Sequence, residues 1–423
     1  MHFRKYSQKK FGGKISKNRN DTFLNQNKFW QKYQRIKEDL LWRACNRVEK
    51  VFGYNSEVEK ICANVTYLLC RNRFNDLRKS SDRLVVVTLW MPSYLDHICE
   101  VLNELEAKGA RVALFPEWRR LEHPEFEVQI RKISDSQIFY DLHRALPKLT
   151  AKVFLSSTAT KHFYFSRNSK NFFYFHSVAG LSGFPEEGLD YYSYFLCATE
   201  QQYSELLDRF TSDKKSRKVF CAGYPKLDKI IKRIDSNDII KIKNASVKRI
   251  LIAPTYADEK IYTDLTILPL IDELISGLIR QGRNVVFRPH PVSLRRGPYI
   301  ELISSIKRRY ASEPLFVFDE SQDYFRTYVD SDLMVTDVSG TSLIFRVAFK
   351  KPVIFLSKNL EASRKALNVI PNLGHSVRSI DELKEVIDSE GLIFDQGIKI
   401  KLFNQGRAMK VFVEILEREL WMN

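Results

Sequence analysis

The stretch Asp332–Leu356, with the sequence DLMVTDVSGTSLIFRVAFKKPVIFL, constrains the fold of this chain more than any other. Its first apolar run predicts a short strand that ends at Asp337, and a helical pattern begins a few polar residues later. Pro352 ends the helical pattern, and Val353–Leu356 predicts the next buried strand. Strand, helix and strand in this order form a βαβ unit, so we expect a parallel sheet covered by helices.

The turn of this unit carries four small or hydroxylic residues. They are Ser339, Gly340, Thr341 and Ser342. A helix start leaves backbone N–H groups unpaired, and hydroxyl groups add further donors, so the turn suits a phosphate or a carboxylate. The same residue types are also common in ordinary helix caps, where they serve stability alone.

A second stretch favours the anion site over the simple cap. Asn284–Pro291, with the sequence NVVFRPHP, predicts a strand that presents Arg288 and His290 at its carboxyl end. Ligands of open α/β sheets bind at the carboxyl ends of strands, so these two strand ends together suit a diphosphate. His290 lies between two prolines that restrict its backbone, and it could assist a leaving phosphate. The alternative is a turn histidine bonded to the backbone.

The first half of the chain also predicts a Rossmann-like domain. Leu84–Leu89 is an apolar strand, Tyr94–Lys108 a helix and Arg111–Phe115 the next strand, and a helical stretch follows over Phe126–Leu146. The turn after the first strand lacks GxGxxG, so no dinucleotide cofactor is expected. His176 follows a predicted strand and precedes a glycine-rich loop, where an imidazole could deprotonate an acceptor hydroxyl.

Several other chemistries lack sequence support. Asp330-Ser331-Asp332 matches the DxD pattern of metal-dependent sugar transferases, but it precedes its strand, so we interpret it as solvation of a helix end and a strand start. HExxH, Walker A and GxSxG patterns are absent, which disfavours zinc proteases, P-loop NTPases and α/β-hydrolases. The 6 cysteines lack a CxxC pair and indicate reduced thiols. We expect neither a metal nor a cofactor.

Length and charge indicate the organisation of the chain. Its 423 residues carry a net charge of +17, and residues 1–50 hold 14 Lys and Arg against 4 Asp and Glu, a net charge of +10. Such charge suits nucleic acid, an anionic membrane or phosphate-rich substrates. Neither a signal peptide nor a membrane-spanning run is expected. We predict a basic, partly disordered and then helical extension (1–80), an acceptor domain (81–235) and a donor-nucleotide domain with a C-terminal helix (236–423).

Four motifs together resemble the CDP-glycerol glycerophosphotransferase family, the polymerases and primases of teichoic acid and related capsular polymers. The motifs are APTY (Ala253–Tyr256), GYPKLD (Gly223–Asp228), RPHP (Arg288–Pro291) and TDVSGTS…KKPVIF (Thr336–Phe355). The resemblance implies an α/β GT-B fold, in which two Rossmann-like domains face a cleft. It also implies a CDP-linked donor and transfer of a glycerophosphate or similar polyol phosphate to an acceptor hydroxyl.

The resemblance also implies roles for individual residues. Arg288, His290 and the turn from Ser339 to Ser342 would hold the donor diphosphate. Asp337 would shape that turn, Thr255 would line the cleft, and His176 would be the base. Two departures from the family pattern, HSVAGLSG after His176 and DVSG at the turn, leave ribitol phosphate or a sugar open as the transferred group.

The expected partners follow from this interpretation. They are a nucleotide-activated donor, a lipid-linked or glycan acceptor and an anionic membrane surface, with the protein cytoplasmic and peripheral on the inner face of the membrane. We expect no nucleic-acid partner, since no recognised nucleic-acid module is present. Two alternatives stay open: a GT-B glycosyltransferase that uses a nucleotide sugar, and a non-catalytic basic protein that binds membranes or nucleic acid.

Overall fold

The structure is a computed structural model. It describes residues 75–116, 137–138, 149–159, 169–211, 216–236, 248–257, 264–321, 323–366, 373–389 and 402–421, with short gaps at 81, 179, 182–183, 185 and 296. A few isolated helical residues before 75 are also described. The predicted basic extension therefore lies almost entirely outside the described residues.

The first half of the chain forms a seven-stranded parallel sheet. Its strands are β1 (Leu84–Leu89), β2 (Arg111–Pro116), β3 (Gln137–Ile138), β4 (Val153–Ser156), β5 (Lys170–Tyr174), β6 (Tyr194–Cys197) and β7 (Lys218–Cys221). They lie in the order β3-β2-β1-β4-β5-β6-β7, with β1 in the middle paired to both β2 and β4. This order reverses direction beside β1, and such a switch point opens a crevice at the carboxyl ends of the strands.

The second half forms a six-stranded parallel sheet whose strand order also reverses direction beside its first strand. Its strands are β8 (Arg249–Ile252), β9 (Asn284–Phe287), β10 (Phe316–Phe318), β11 (Leu333–Thr336), β12 (Val353–Leu356) and β13 (His375–Val377). The order is β10-β9-β8-β11-β12-β13, so β8 and β11 are neighbours at the switch point. Nearly every residue of β8, β11 and β12 is buried, as expected for parallel strands covered on both faces.

Helices connect and cover the strands. They are α1 (Cys99–Ala107), α2 (Glu186–Leu189), α3 (Glu200–Phe210), α4 (Pro225–Ser236), α5 (Ile271–Arg280), α6 (Ile300–Arg309), α7 (Phe325–Asp330), α8 (Thr341–Ala348), α9 (Leu360–Ala366), α10 (Ile380–Asp388) and α11 (Ala408–Trp421). Short 3-10 turns occupy Pro92–His97 and Leu268–Leu270. Ser379 caps α10, because its side chain accepts the Glu382 N–H at 3.1 Å.

Helix α11 does not stay with the sheet that precedes it in sequence. Phe412, Leu416 and Leu420 belong to the same apolar core as β1, β2 and α1 of the first sheet. Lys170 on β5 forms an ion pair with Glu419 at 2.8 Å. The predicted division, which places all of 236–423 in the second domain, therefore needs correction at α11, because this helix completes the first domain.

Some element boundaries differ from the sequence prediction. The helix expected over Tyr94–Lys108 is divided at Ile98, whose φ of −135° lies outside the helical region. Within the stretch predicted as helical from Phe126 to Leu146, the described residues Gln137 and Ile138 form the edge strand β3. The other residues of that stretch lie outside the described part.

Candidate active site

Strand β5 delivers His176 to the carboxyl edge of the first sheet. The Nδ1 atom of His176 lies 3.1 Å from the backbone oxygen of Ser157, which follows the neighbouring strand β4. A carbonyl oxygen only accepts, so Nδ1 carries the proton and Nε2 keeps its lone pair. Burial lowers the pKa of His176 to about 4, with the hydrogen bond to Ser157 opposing and the charge of Lys226 adding to the shift. The ring is therefore neutral at pH 7.

Tyr94, which the sequence analysis missed, covers one face of this imidazole. The two rings are stacked with centroids 4.3 Å apart and an interplanar angle of 21°, and the tyrosine hydroxyl lies 3.3 Å from His176 Nε2. Since Nδ1 carries the proton, the Tyr94 hydroxyl donates this hydrogen bond to Nε2. An acceptor hydroxyl has to displace the Tyr94 hydroxyl before it can give its proton to Nε2.

The GYPKLD segment supports His176 from behind. The Tyr224 hydroxyl donates to the backbone oxygen of His176 at 3.1 Å. Gly223 has φ of +99°, and a methyl group there would come within 2.6 Å of the Phe403 carbonyl oxygen, so only glycine fits. Asp228 accepts the backbone N–H groups of Gly406 and Ala408, both at 2.7 Å, and so caps the start of α11. The motif thus joins the His176 strand end to the C-terminal helix.

Gln202 on α3 fixes the loop that follows His176. This buried side chain donates to the Ser177 carbonyl oxygen at 2.8 Å and accepts the Ala198 N–H at 2.9 Å. The sequence analysis assigned it no role, because a glutamine inside a polar helix pattern gives no sign of which loop it will contact. It belongs to the support of the His176 strand end.

In the second sheet, β11 leads into the hydroxylic turn and α8. The hydroxyl oxygens of Ser339 and Thr341 lie 3.1 Å apart at the helix start, and Gly340 is the N-cap, which has no side chain to accept the first N–H groups. Ser342 is 0% exposed, and its hydroxyl donates to the Ser339 carbonyl oxygen at 2.7 Å. Ser342 therefore helps to shape the turn, whereas Ser339, Gly340 and Thr341 lie at the start of α8.

Asp337 links this turn to the end of β8. Its carboxylate is 1% exposed and accepts the backbone N–H of Thr255 at 2.8 Å and that of Ile267 at 3.1 Å. Burial raises the pKa of Asp337 to about 6, although these hydrogen bonds oppose the shift. Thr255 and Asp337 are thus neighbours at the switch point between β8 and β11, as the two motifs that contain them require.

Arg288 and His290, which follow strand β9, differ in the hydrogen bonds that their side chains form. The Arg288 guanidinium donates to Asp319 Oδ2 at 2.7 Å and to the Ser321 carbonyl oxygen at 2.8 Å, so it already has an anionic partner at the end of β10. His290 Nδ1 accepts the Val292 N–H at 3.2 Å, which places the proton of the neutral ring on Nε2. His290 can therefore donate a hydrogen bond, while Arg288 holds the β9 and β10 ends together.

Two remaining motif elements have structural partners. Lys351 of the KKPVIF motif is buried and donates to the carbonyl oxygens of Tyr328 and Ser331 at 2.9 and 2.6 Å, which caps the C-terminus of α7. Burial lowers the pKa of Lys351 to about 8. Asp332 of the DxD pattern accepts the Arg249 N–H at 2.8 Å, in agreement with its predicted role at a strand start.

The two halves meet at the His176 loop and the hydroxylic turn. A methyl group on Gly340 would lie 3.2 Å from Ser177 Oγ, so the residue after His176 and the start of α8 face each other directly. Beside them, Arg233 on α4 forms a two-pronged ion pair with Asp323 at 2.7 and 3.2 Å across the domains. The loop that carries His176 at one strand end thus faces the hydroxylic helix start at the other.

Two Rossmann-like domains that face each other in this way define the GT-B fold, as predicted. A profile of the CDP-Glycerol:Poly(glycerophosphate) glycerophosphotransferase family matches residues 160–389, more than half of the chain. The chain belongs to this family. The predicted CDP-glycerol glycerophosphotransferase-like activity, with a CDP-linked donor and an acceptor, is confirmed at the level of the family.

Solved structures show the same fold. The wall teichoic acid polymerase TagF, in a crystal soaked with CDPG, superposes with a TM-score of 0.52 at 13% identity, covering 86% of this chain and 96% of that one. The UDP-GlcNAc 2-epimerase of Neisseria meningitidis, bound to UDP-GlcNAc, gives 0.56 at 16% identity, covering 79% and 100%. At such identities the likeness establishes the fold. A search of curated proteins finds no match.

Proposed function

We infer that this protein transfers glycerophosphate from CDP-glycerol to a hydroxyl group of a growing teichoic-acid-like surface polymer. The approach of the His176 loop to the Gly340 turn is the observation that carries the inference, since transfer needs an acceptor hydroxyl in line with a leaving phosphate. Family membership supplies the donor class, and the division of the two half-sites between two domains suits two separate substrates.

The chemistry follows from the atoms available. The acceptor hydroxyl gives its proton to His176 Nε2, and its oxygen forms a bond to the donor phosphorus that carries glycerol. The bridging P–O bond breaks, and CMP leaves with the negative charge. The α8 N-terminus with Ser339 and Thr341 stabilises that charge, and His290 donates to it from Nε2–H. Thr255 lines the cleft beside the turn, and Arg288 keeps the β9 end in position.

A binding experiment tests the donor half of this inference. Removing hydrogen bonds to a charged group costs about 1.5–3 kcal/mol each, so Ser339→Ala with Thr341→Ala should weaken CDP-glycerol binding by at least about 100-fold. Calorimetry on the wild type, on this double variant and on Ser276→Ala, a partly exposed control on α5, measures the difference. Unchanged affinity in the double variant would reduce the turn to a helix cap. Tighter binding of UDP-GlcNAc than of CDP-glycerol to the wild type would favour the nucleotide-sugar transferase.

We further propose that residues 1–50 bring the protein to the inner face of an anionic membrane. They carry 14 basic against 4 acidic residues, with Phe29, Trp30 and Trp42 among them. Each basic residue near such a surface contributes about 1 kcal/mol. None of the described helices is long and apolar enough to cross a bilayer. We therefore propose that the protein attaches to the membrane surface through residues 1–50, and not through one of the described helices.

Vesicle sedimentation tests this proposal. Full-length protein should bind phosphatidylglycerol vesicles, with binding that falls as salt rises, and deletion of residues 1–28 should weaken it. A duplex oligonucleotide should bind less well than the vesicles at equal salt. Binding that ignores salt, or a preference for the oligonucleotide, would remove the membrane role.

A further inference from the structure

A second buried histidine lies next to His176 and has no function in the reaction described so far. His97 ends the 3-10 turn Pro92–His97 and is 6% exposed. Its ring centroid lies 6.3 Å from that of His176 at an interplanar angle of 86°, and 5.5 Å from that of Tyr224. His97 therefore shares the strand-end region of the first domain with the proposed base.

The contact with Lys226 fixes the protonation of His97. Lys226 Nζ lies 3.4 Å from His97 Nε2, and an ammonium group only donates, so Nε2 accepts. Burial, together with the charges of Lys226, His176 and Lys229, lowers the pKa of His97 and keeps the ring neutral. The single proton is then on Nδ1. That atom is buried and has no hydrogen-bond partner among the described residues, so it is a donor that lacks an acceptor.

Lys226 itself has no ion-pair partner among the described residues. Within this part of the chain it hydrogen-bonds to neutral His97. Lys226 also faces the ring of Tyr324 in the second domain, with Nζ 5.5 Å from the centroid. A cation in this position with so little compensation calls for an acceptor or an anion.

Among the described residues, the other titratable groups around Lys226 act on its charge without forming an ion pair with it. Asp96 raises the pKa of Lys226, whereas burial, the largest effect, and Lys229 lower it. Lys229 is held by Cys99, with Nζ 3.4 Å from Sγ. Asp96 and Glu100 both raise the pKa of Lys229, and Asp96 also raises that of Lys226, so this cluster has two carboxylates and two ammonium groups. Lys226 itself, whose charge also acts on His176, forms no ion pair with any of the described residues.

We propose that Lys226 and His97 form a seat for a phosphate group of the acceptor, next to the base His176. The proposal rests on the proposed function, in which the first domain binds the acceptor and the hydroxylic turn of the second domain binds the donor. A polyol-phosphate chain carries a phosphate a few bonds from its terminal hydroxyl. The seat would therefore hold the last phosphate while the hydroxyl reaches His176 Nε2.

Occupation of the seat would also activate the base. The charge of Lys226 contributes to the low pKa of His176. A phosphate on Lys226 would offset that charge, so the pKa of His176 should rise when the acceptor binds, and proton transfer becomes more favourable. An acceptor without a phosphate beside its hydroxyl would bind without this effect, which gives the seat a role in acceptor choice.

The test measures phosphate binding separately from donor binding. Calorimetry with sn-glycerol 3-phosphate and with CDP-glycerol is applied to the wild type, Lys226→Met, Lys226→Arg and Lys232→Met, an exposed control on the same helix. Lys226→Met should weaken sn-glycerol 3-phosphate binding by about 10- to 100-fold and leave CDP-glycerol within about twofold. Lys226→Arg should restore part of the affinity. A shift of the His97 Nδ1 resonance on addition of sn-glycerol 3-phosphate would place the ligand at the seat.

The possible outcomes separate this proposal from the function on which it rests. If sn-glycerol 3-phosphate does not bind the wild type, or binds Lys226→Met equally well, the seat does not exist. If Lys226→Met loses CDP-glycerol instead, the phosphate belongs to the donor and the acceptor assignment is wrong. If the wild type fails to bind CDP-glycerol while the effect on sn-glycerol 3-phosphate appears, the donor is misassigned but the seat stands.

Discussion

The environment of His176 leads to a quantitative prediction about the pH dependence of transfer. A base must be neutral to accept a proton, so activity falls as the pH drops through its pKa. With a pKa of about 4, His176 stays about 90% neutral at pH 5, whereas an ordinary histidine with a pKa of about 6.5 would be about 3% neutral. The value of kcat/KM, which reports the free enzyme, should therefore be nearly flat from pH 7 to pH 5.

The assay is the initial rate of CMP release from CDP-glycerol between pH 4.5 and 8. His176→Ala should lower the rate about 10²–10⁴-fold at every pH, the usual contribution of a positioned base, and should leave donor affinity nearly intact. His375→Ala, which removes a histidine from the edge strand β13, is the matched control and should retain full activity. Circular dichroism at each pH checks that the fold persists.

Two results would refute this reasoning. If the wild-type rate at pH 5 falls to a few per cent of its value at pH 7 while the fold stays intact, the titrating group has an ordinary pKa and is not His176 as placed here. If His176→Ala keeps a rate close to wild type, the base is another group.

Three further predictions concern other residues. His290→Ala should weaken CDP-glycerol binding about tenfold or more in calorimetry, since it removes a donor to the leaving phosphate; equal affinity would exclude that contact. Because burial raises the pKa of Asp337 to about 6, its contribution to stability is present below about pH 4 and is lost as the pH rises to 6. In urea unfolding, the free energy of unfolding of the wild type should fall by about 2–3 kcal/mol relative to that of Asp337→Asn as the pH rises from 4 to 6. The same pH dependence in both proteins would contradict this prediction. Gly223→Ala should destabilise by about 2–4 kcal/mol, more than Gly109→Ala, which shares a positive φ but has open space around it; equal losses would mean that the α11 segment can move away.

Most of the fold could be predicted because buried parallel strands are nearly continuous apolar runs. Leu84–Leu89 was predicted with the bounds that the structure shows, and Val353–Leu356 likewise. Edge strands were harder. β13, with the sequence HSV, and the two residues of β3 have neither the length nor the apolar content of a core strand. The position of α11 could not be predicted from the local sequence either, because it depends on a cap from Asp228, which is far away in sequence.

The residues of the candidate site could likewise be predicted from the sequence only in part. The hydroxylic turn, Asp337 and the strand ends with His176 and His290 are visible in the sequence because each is a short motif at a strand end. Tyr94 and Gln202 were missed, since their roles depend on which strand ends become neighbours. The sequence also cannot reveal that Asp319 already engages the Arg288 guanidinium, because the two come from adjacent strands that are separate in sequence.

The return of α11 to the first sheet has a consequence for how the protein is made. Because Phe412, Leu416 and Leu420 supply part of the core of the first sheet, that core stays incomplete until α11 has left the ribosome. The second sheet, whose strands end at Val377, needs no residue from α11 in its own apolar core and can form earlier. The part translated first is thus finished last, and a ribosome that stops before residue 408 would release a chain whose second sheet is folded while the core of the first sheet is open.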